Sequence, residues 1–258
     1  MFRWTLALPL LLFAFALGIR LLGVGWGLKN ELHNASYHPD EAVIFGFSRA
    51  IEPSQGQFTP HFYNYGTLYL TLLRISSDIV TTYTGAPTLP GGGWSPTHPE
   101  RTDWDWVSRC TLAGRYLSCL AGAGTVLVLY LIGTRLFGPL GGFVAALTLA
   151  VAPAHVVHSR FQSVDVLATF FLAISTFYAL KLLRHGEDPD TSPDGGLKLV
   201  VLSGLFAGLS MGTKYTGILA LLTLFVAIAF ARRPRAILEA GVGVFVALIS
   251  FIVTTPGC

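Results

Sequence analysis

Two adjacent carboxylates, Asp40 and Glu41, stand in the stretch Tyr37-His38-Pro39-Asp40-Glu41, just beyond the first long apolar segment, Trp4 to Val24. Much later, Arg160 is followed five positions on by Asp165, and Lys214 sits in the turn Thr213-Lys214-Tyr215-Thr216. Ionisable groups at membrane depth are costly unless they are paired or functional. Acids, an arginine and a lysine meeting at one membrane boundary would suit a substrate that is part lipid and part polar, with an anionic link. Each residue also has a plainer reading. The acids complement a helix dipole, Arg160 and Lys214 anchor spans by snorkelling, and Asp165 caps a helix start. His155 and His158 make a weak case for metal ligation, and the aromatics from Tyr63 to Tyr69 read as an interfacial belt.

Composition sets the class of protein that must position these groups. The chain has 258 residues, of which 52% are hydrophobic and 12% charged; mean hydropathy is +0.60. Soluble domains average about 25% charged residues, so this is a membrane protein. The net charge of +3, spread next to apolar runs, argues against nucleic acid as a partner. Three cysteines without a CxxC pair indicate neither a disulfide framework nor a zinc site.

Taken in order, the pattern predicts an all-α, polytopic transmembrane bundle of about seven spans, forming a single module over residues 1–258. Met1 to Gly27 is read as an uncleaved first span, anchored at the interface by Arg20 and Trp26. Residues 28–106 form an external loop with amphipathic surface helices. One has Pro39 at its first position, Asp40 and Glu41 in its first turn, and Val43, Ile44, Phe47, Ala50 and Ile51 as its apolar stripe. The other, Leu68 to Tyr83, carries Arg74 and Asp78 and so lies on the surface instead of crossing. A Gly-, Pro- and Trp-rich loop follows over Thr84 to Asp105. Further spans run within Val107 to Phe137, with Arg109 and Arg115 at the outer end, then over Leu140 to Val157 and Val164 to Leu183. After a hydrophilic turn from Arg184 to Gly196, the last three cover Leu197 to Gly212, Ile218 to Ala231 and Ala236 to Thr255.

With seven crossings, Arg3, Arg135, Lys181, Arg184, Lys198, Arg232, Arg233 and Arg235 all fall on one side, which the positive-inside rule makes cytoplasmic. Asp40, Glu41, Arg160, Asp165 and Lys214 then converge on the opposite face.

This ordered set resembles a known family. The acidic pair, the Arg160/Asp165 spacing, the turn Gly-x-x-x-Gly-Thr-Lys-Tyr-Thr-Gly (Gly208 to Gly217) and the segment Arg115 to Gly138 are similar to the GT-C glycosyltransferase superfamily. The branch is that of protein O-mannosyltransferases and lipid A aminoarabinose transferases. The resemblance implies inverting transfer of a sugar from a polyprenyl-phosphate carrier to a lipid, glycan or protein acceptor on the non-cytoplasmic face. It makes Asp40 the general base, with Glu41 supporting the site or a divalent metal; cofactor identity is left open. Arg160 would face the carrier phosphate or the acceptor, Asp165 would orient neighbouring groups, and Lys214 would contact phosphate. His61 and Tyr65 complete the expected substrate contacts.

Two departures stand out. The His-Pro-Pro run usual in the mannosyltransferases is missing around Pro60-His61, and the chain stops at Cys258, where family members continue. The expectation is therefore an N-terminal module, truncated or completed by a partner chain that supplies further spans. The alternatives are a multi-span transporter or permease, for which paired repeats would be expected, and an inactive fragment acting as a membrane partner. Topology is directly testable: a cysteine placed at position 214 should react with an impermeant thiol reagent on intact cells. Reaction only after permeabilisation would break the convergence.

Overall fold

The apolar runs become helical rods in the computed structural model, which describes residues 4–87, 95, 98–185, 193–231 and 234–256. Parts of the expected 84–105 loop and 184–196 turn lie outside the described residues, as do Arg3, Arg232, Arg233 and Cys258. The α-helices are α1 (Trp4–Leu21), α2 (Pro39–Ser48), α3 (Leu68–Thr84), α4 (Trp104–Val151), α5 (Pro153–Ser159), α6 (Val164–His185), α7 (Pro193–Thr213), α8 (Ala220–Phe230) and α9 (Ala236–Thr254). No β-strand forms among the described residues; Glu52 and Gln57 make one isolated bridge. Four helices, α4, α6, α7 and α9, are long and apolar enough to cross a membrane, and shorter apolar helices cover Ala7–Leu21 and Tyr215–Phe230.

The 48-residue α4 is the expected second and third spans joined through Gly138, whose φ of 78° only glycine adopts readily. A Cβ added at Gly142 would lie 2.6 Å from the Tyr130 carbonyl oxygen. In an unbroken helix those residues would be about 18 Å apart, so the chain doubles back into a hairpin. Its two arms close on α1 through Leu12, Ala16, Ala123, Val126, Tyr130, Ala146 and Ala150. The return arm does not run on to Val157 as one helix. Ala152 takes an extended ψ of 115°, the conformation forced on a residue that precedes proline, and α5 restarts at Pro153.

In a bilayer, apolar side chains gain little by leaving lipid, so close packing and interhelical hydrogen bonds hold such a bundle together. The Ser175 and Ser203 hydroxyls each donate to the other's carbonyl, at 2.8 and 3.0 Å. Ser210 donates to Ala168 O at 2.8 Å and Ser250 to Leu205 O at 3.1 Å. These bonds join α6, α7 and α9 around Leu182, Val200, Ala207, Leu224 and Ala247.

Outside the spans, α3 keeps its charges by internal pairing. Arg74 Nε donates to Asp78 at 2.8 Å, and Arg74 Nη1 donates to the Arg49 and Ile51 carbonyls beyond α2. Helix α2 buries Glu41, Ile44, Phe45 and Ser48 and leaves Val43 and Phe47 of its expected apolar stripe exposed. One residue corrects the sequence reading. Arg20, expected as an interfacial anchor, is fully buried. Trp26 does remain exposed and stacks on Tyr37 at 4.5 Å.

The hairpin yields a prediction. Gly142→Val must push apart two backbones and is expected to cost about 1–3 kcal/mol, read as a lowered Tm in detergent. Gly241→Ala, with nothing within 4 Å of the added Cβ, should leave the Tm unchanged or slightly raised.

Candidate active site

The buried anchor of the end that carries Asp40 is an ion pair between α2 and α4. Arg115 Nε and Nη2 donate to the two Glu41 oxygens at 2.8 Å each, and both side chains are 1% exposed. Arg115 Nη1 spends its protons on the Val24 and Trp26 carbonyls at 2.8 and 2.7 Å. Glu41 also accepts from the Ser36 hydroxyl at 2.6 Å and the Gln162 N–H at 3.1 Å. Burial alone would push the Glu41 carboxyl up; the Arg115 guanidinium, with Ser36 and Gln162, holds it below its ordinary value. Beside the pair, burial pulls the Lys29 ammonium down, Glu41 acting against that shift and Arg115 with it. With both oxygens engaged, Glu41 has a supporting geometry and none to spare for an ion. Among the described residues, no three or more His, Cys, Asp or Glu gather to hold a metal.

Asp40 takes a different direction from its neighbour. It is half-buried and lies against Tyr65. Burial first, then the Asp40 charge and a hydrogen bond to it, raise the pKa of the Tyr65 hydroxyl; Lys214 pulls it down and Asp165 pushes it up. Tyr65 therefore lies within electrostatic range of Asp40, Asp165 and Lys214, which together with it make an ionisable patch. Lys214 Nζ is ion-paired with Asp165 Oδ1, with side chains 31% and 53% exposed. Their placement follows from the helices: Lys214 leaves the C-terminal end of α7 and Asp165 lies in the first turn of α6, each at the end whose partial charge favours it.

Tyr65 reaches this patch because its loop is clamped to the far end of the chain. The Thr67 hydroxyl donates to Thr254 O at 2.8 Å. A Cβ on Gly66 would lie 2.0 Å from Gly212 O, so only glycine permits the approach. Phe62 stacks on Phe47 at 4.1 Å and ties the loop to α2.

Not every expected residue joins the patch. His61 is exposed, has a φ of 53° and belongs to none of these contacts. Arg160 sits against α1, where its Nη2 donates to Ile19 O at 2.8 Å. It lines a cavity of about 310 Å³ with Gly23, Trp26, Arg115, Val157 and Phe161. His38, two residues before Asp40, packs against one wall of this cavity, its ring 5.2 Å from Phe161 and 5.8 Å from His158. The sequence reading missed the role of Arg115 in the site. The available signal was an arginine placed inside an apolar run, where a charge demands a partner.

Residues 109–257 match the family described as dolichyl-phosphate-mannose-protein mannosyltransferase. A 68-residue stretch is 37% identical to the putative mannosyltransferase YkcB of Bacillus subtilis (strain 168), covering 26% of this chain and 10% of that protein. The fold is similar to that of ArnT from Cupriavidus metallidurans, solved bound to undecaprenyl phosphate. The TM-score is 0.64 at 18% identity, over 95% of this chain and 40% of that one. It is also similar to the S. cerevisiae protein O-mannosyltransferase Pmt1-Pmt2 complex bound to the sugar donor: TM-score 0.64, 18% identity, 96% of this chain and 33% of that one. The chain thus spans well under half the length of these relatives.

The buried pair can be tested by itself. Arg115→Met strands a buried carboxylate, and breaking such a pair costs about 3–5 kcal/mol; the Glu41→Gln/Arg115→Met double variant should recover much of that in detergent melts. Because the Glu41 pKa is depressed, the pair's contribution is present at neutral pH and is lost as pH falls through the depressed value.

Proposed function

This chain belongs to the dolichyl-phosphate-mannose-protein mannosyltransferase family, and we propose that it works as a membrane glycosyltransferase drawing its sugar from a polyprenyl-phosphate donor. The observation that carries the reading is the patch in which Asp40, Tyr65, Asp165 and Lys214 meet at one end of an apolar bundle. The undecaprenyl phosphate bound by the structurally similar ArnT supports the donor class.

In the proposed reaction the acceptor hydroxyl oxygen attacks the sugar's anomeric carbon from the face opposite the phosphate. Its proton passes to Asp40, the carbon–oxygen bond to phosphate breaks, and polyprenyl phosphate leaves with the electron pair. A positioned base supplies the first part, and nearby cations stabilise the departing phosphate; Lys214 is the cation in the patch. Asp165 holds Lys214 by its ion pair, and Tyr65 fixes the Asp40 carboxylate. Glu41, locked to Arg115, sets the rotation of α2 and hence the aim of Asp40. Arg160 meets the carrier or acceptor from its separate cavity, and His61 contacts the acceptor at the rim. The acceptor is a lipid, glycan or protein hydroxyl on the non-cytoplasmic face.

The test is Asp40→Asn, assayed for transfer from a polyprenyl-phosphate sugar in membranes holding equal amounts of both proteins, with any required partner co-expressed. Loss of a general base costs roughly 100- to 10,000-fold in rate. A first-turn acid acting only on a helix dipole is worth about 0.3–1 kcal/mol, so insertion and Tm should barely change. Near-normal turnover by the variant would return Asp40 to a helix-start residue.

A further inference from the structure

A threonine placed just before a helix usually turns its hydroxyl back to cap that helix, accepting from an N–H of the first turn. Thr67 holds this position before α3 and makes no such bond. The residue is fully buried, and its hydroxyl donates instead to Thr254 O at the end of α9, 2.8 Å away. That carbonyl belongs to the last turn of α9, where no N–H of the same helix remains to meet it. Helix α3 therefore forgoes a local cap, and the hydroxyl serves a remote backbone. The clamp is not what packs α3 either, since Tyr69, Leu70 and Leu73 already bury it against Ile44 and Ile51.

Three segments meet where that bond is made. Gly66 lies so close to Gly212 O that a Cβ has no room, and a Cβ on Gly212 would run into Thr254 Oγ1. Thr255, 2% exposed, donates its own hydroxyl to Gly212 O at 3.4 Å. Gly66 directly follows Tyr65, and only the buried Thr213 separates Gly212 from Lys214. The Lys214 N–H is held in turn by Ser210 O at 2.9 Å. Contact between the two glycines thus registers the Tyr65 loop against Lys214, and the end of α9 bolts it there.

We infer that Thr67 and Thr255 are positioning residues of the transfer site. Their hydroxyls lock the Tyr65 loop and the end of α7 to the end of α9, so that Tyr65 holds Asp40 at a fixed spacing from Lys214. The inference rests on the reading of Asp40 as base and Lys214 as cation. Neither threonine touches the reacting atoms. Misplacing a reacting group by about 1 Å can cost roughly 100-fold in rate.

Thr67→Val keeps the side-chain shape and removes the donor. With equal amounts of protein in membranes, and any required partner co-expressed, kcat for transfer from a polyprenyl-phosphate sugar should fall roughly 10- to 100-fold. KM for that donor should stay unchanged, as for an interaction felt only in the transition state. Thr67→Ser, which keeps the hydroxyl, should restore most of the rate. Ser175→Ala is the control: it removes a buried hydroxyl joining α6 to α7 and should lower the Tm while leaving kcat alone. A second reading needs no transfer: fluorotyrosine at position 65, titrated by fluorine NMR of the full chain in detergent. Burial and the Asp40 charge raise the pKa of the Tyr65 hydroxyl, so Thr67→Val should bring the midpoint down toward that of fluorotyrosine in a short peptide. If Thr67→Val fails to insert, Thr255→Val provides both readings. Normal kcat in the inserted valine variant, no rescue by serine, an equal rate loss in Ser175→Ala, or an unmoved midpoint would each overturn the proposal. Full turnover by Asp40→Asn would count against the base alone, and the midpoint would then judge the clamp.

Discussion

The end of the bundle that carries Asp40 is organised by one buried interaction, the two-pronged contact between Glu41 and Arg115. It gathers the turn after α1 through the Val24 and Trp26 carbonyls, the approach to α2 through Ser36, and the segment before α6 through the Gln162 N–H. None of these segments has a sizeable apolar face of its own. Helix α2 has ten residues, below the roughly 12–15 needed for an isolated helix to be even marginal in water. Its position is set by this pair together with Ile44 and Phe45, buried in the clusters of Tyr69, Leu70, Leu73 and Trp106; breaking the pair would leave a buried charge uncompensated.

Fixing Glu41 also fixes its neighbours. Successive residues on a helix are about 100° apart, so with Glu41 turned inward Asp40 is displaced to the side where Tyr65, Lys214 and Asp165 meet. The paired acids thus divide their labour by geometry: one holds the helix, the other faces the patch. The patch holds its own cation, Lys214, while Arg160 lines a separate cavity against α1, on whose Phe161 wall His38 packs.

The rods were legible in the sequence because runs of apolar residues long enough to cross a bilayer have few other readings, and Gly138-Pro139 marked the turn between two of them. Alternating crossings are what led to the expectation of Asp40, Asp165 and Lys214 at one end; Tyr65 entered only through the family resemblance. What periodicity could not supply was the identity of partners: Arg115 and Glu41 are 74 positions apart, and nothing local links them. The stripe at α2 named the apolar residues but not the buried carboxylate beside them: Ile44 and Ile51 are buried, Val43 and Phe47 are exposed, and Glu41 is buried with its arginine. Arg20 misled for a related reason. An arginine near a span end usually snorkels, but Ala150 and His155 offered it acceptors on the inside. The break before Pro153 was readable from the residue-before-proline rule, yet the apolar run continued across it.

The hydroxyl of Thr67 reaches the carbonyl of Thr254 across 187 positions of sequence. Chains grow from their N-terminus at about 5–20 residues per second, so the aromatic loop emerges roughly 10–40 s before its fastening point exists. During that interval the Tyr65 loop lacks the backbone that fastens it, so the arrangement around Asp40 waits on residues made long after Asp40 itself.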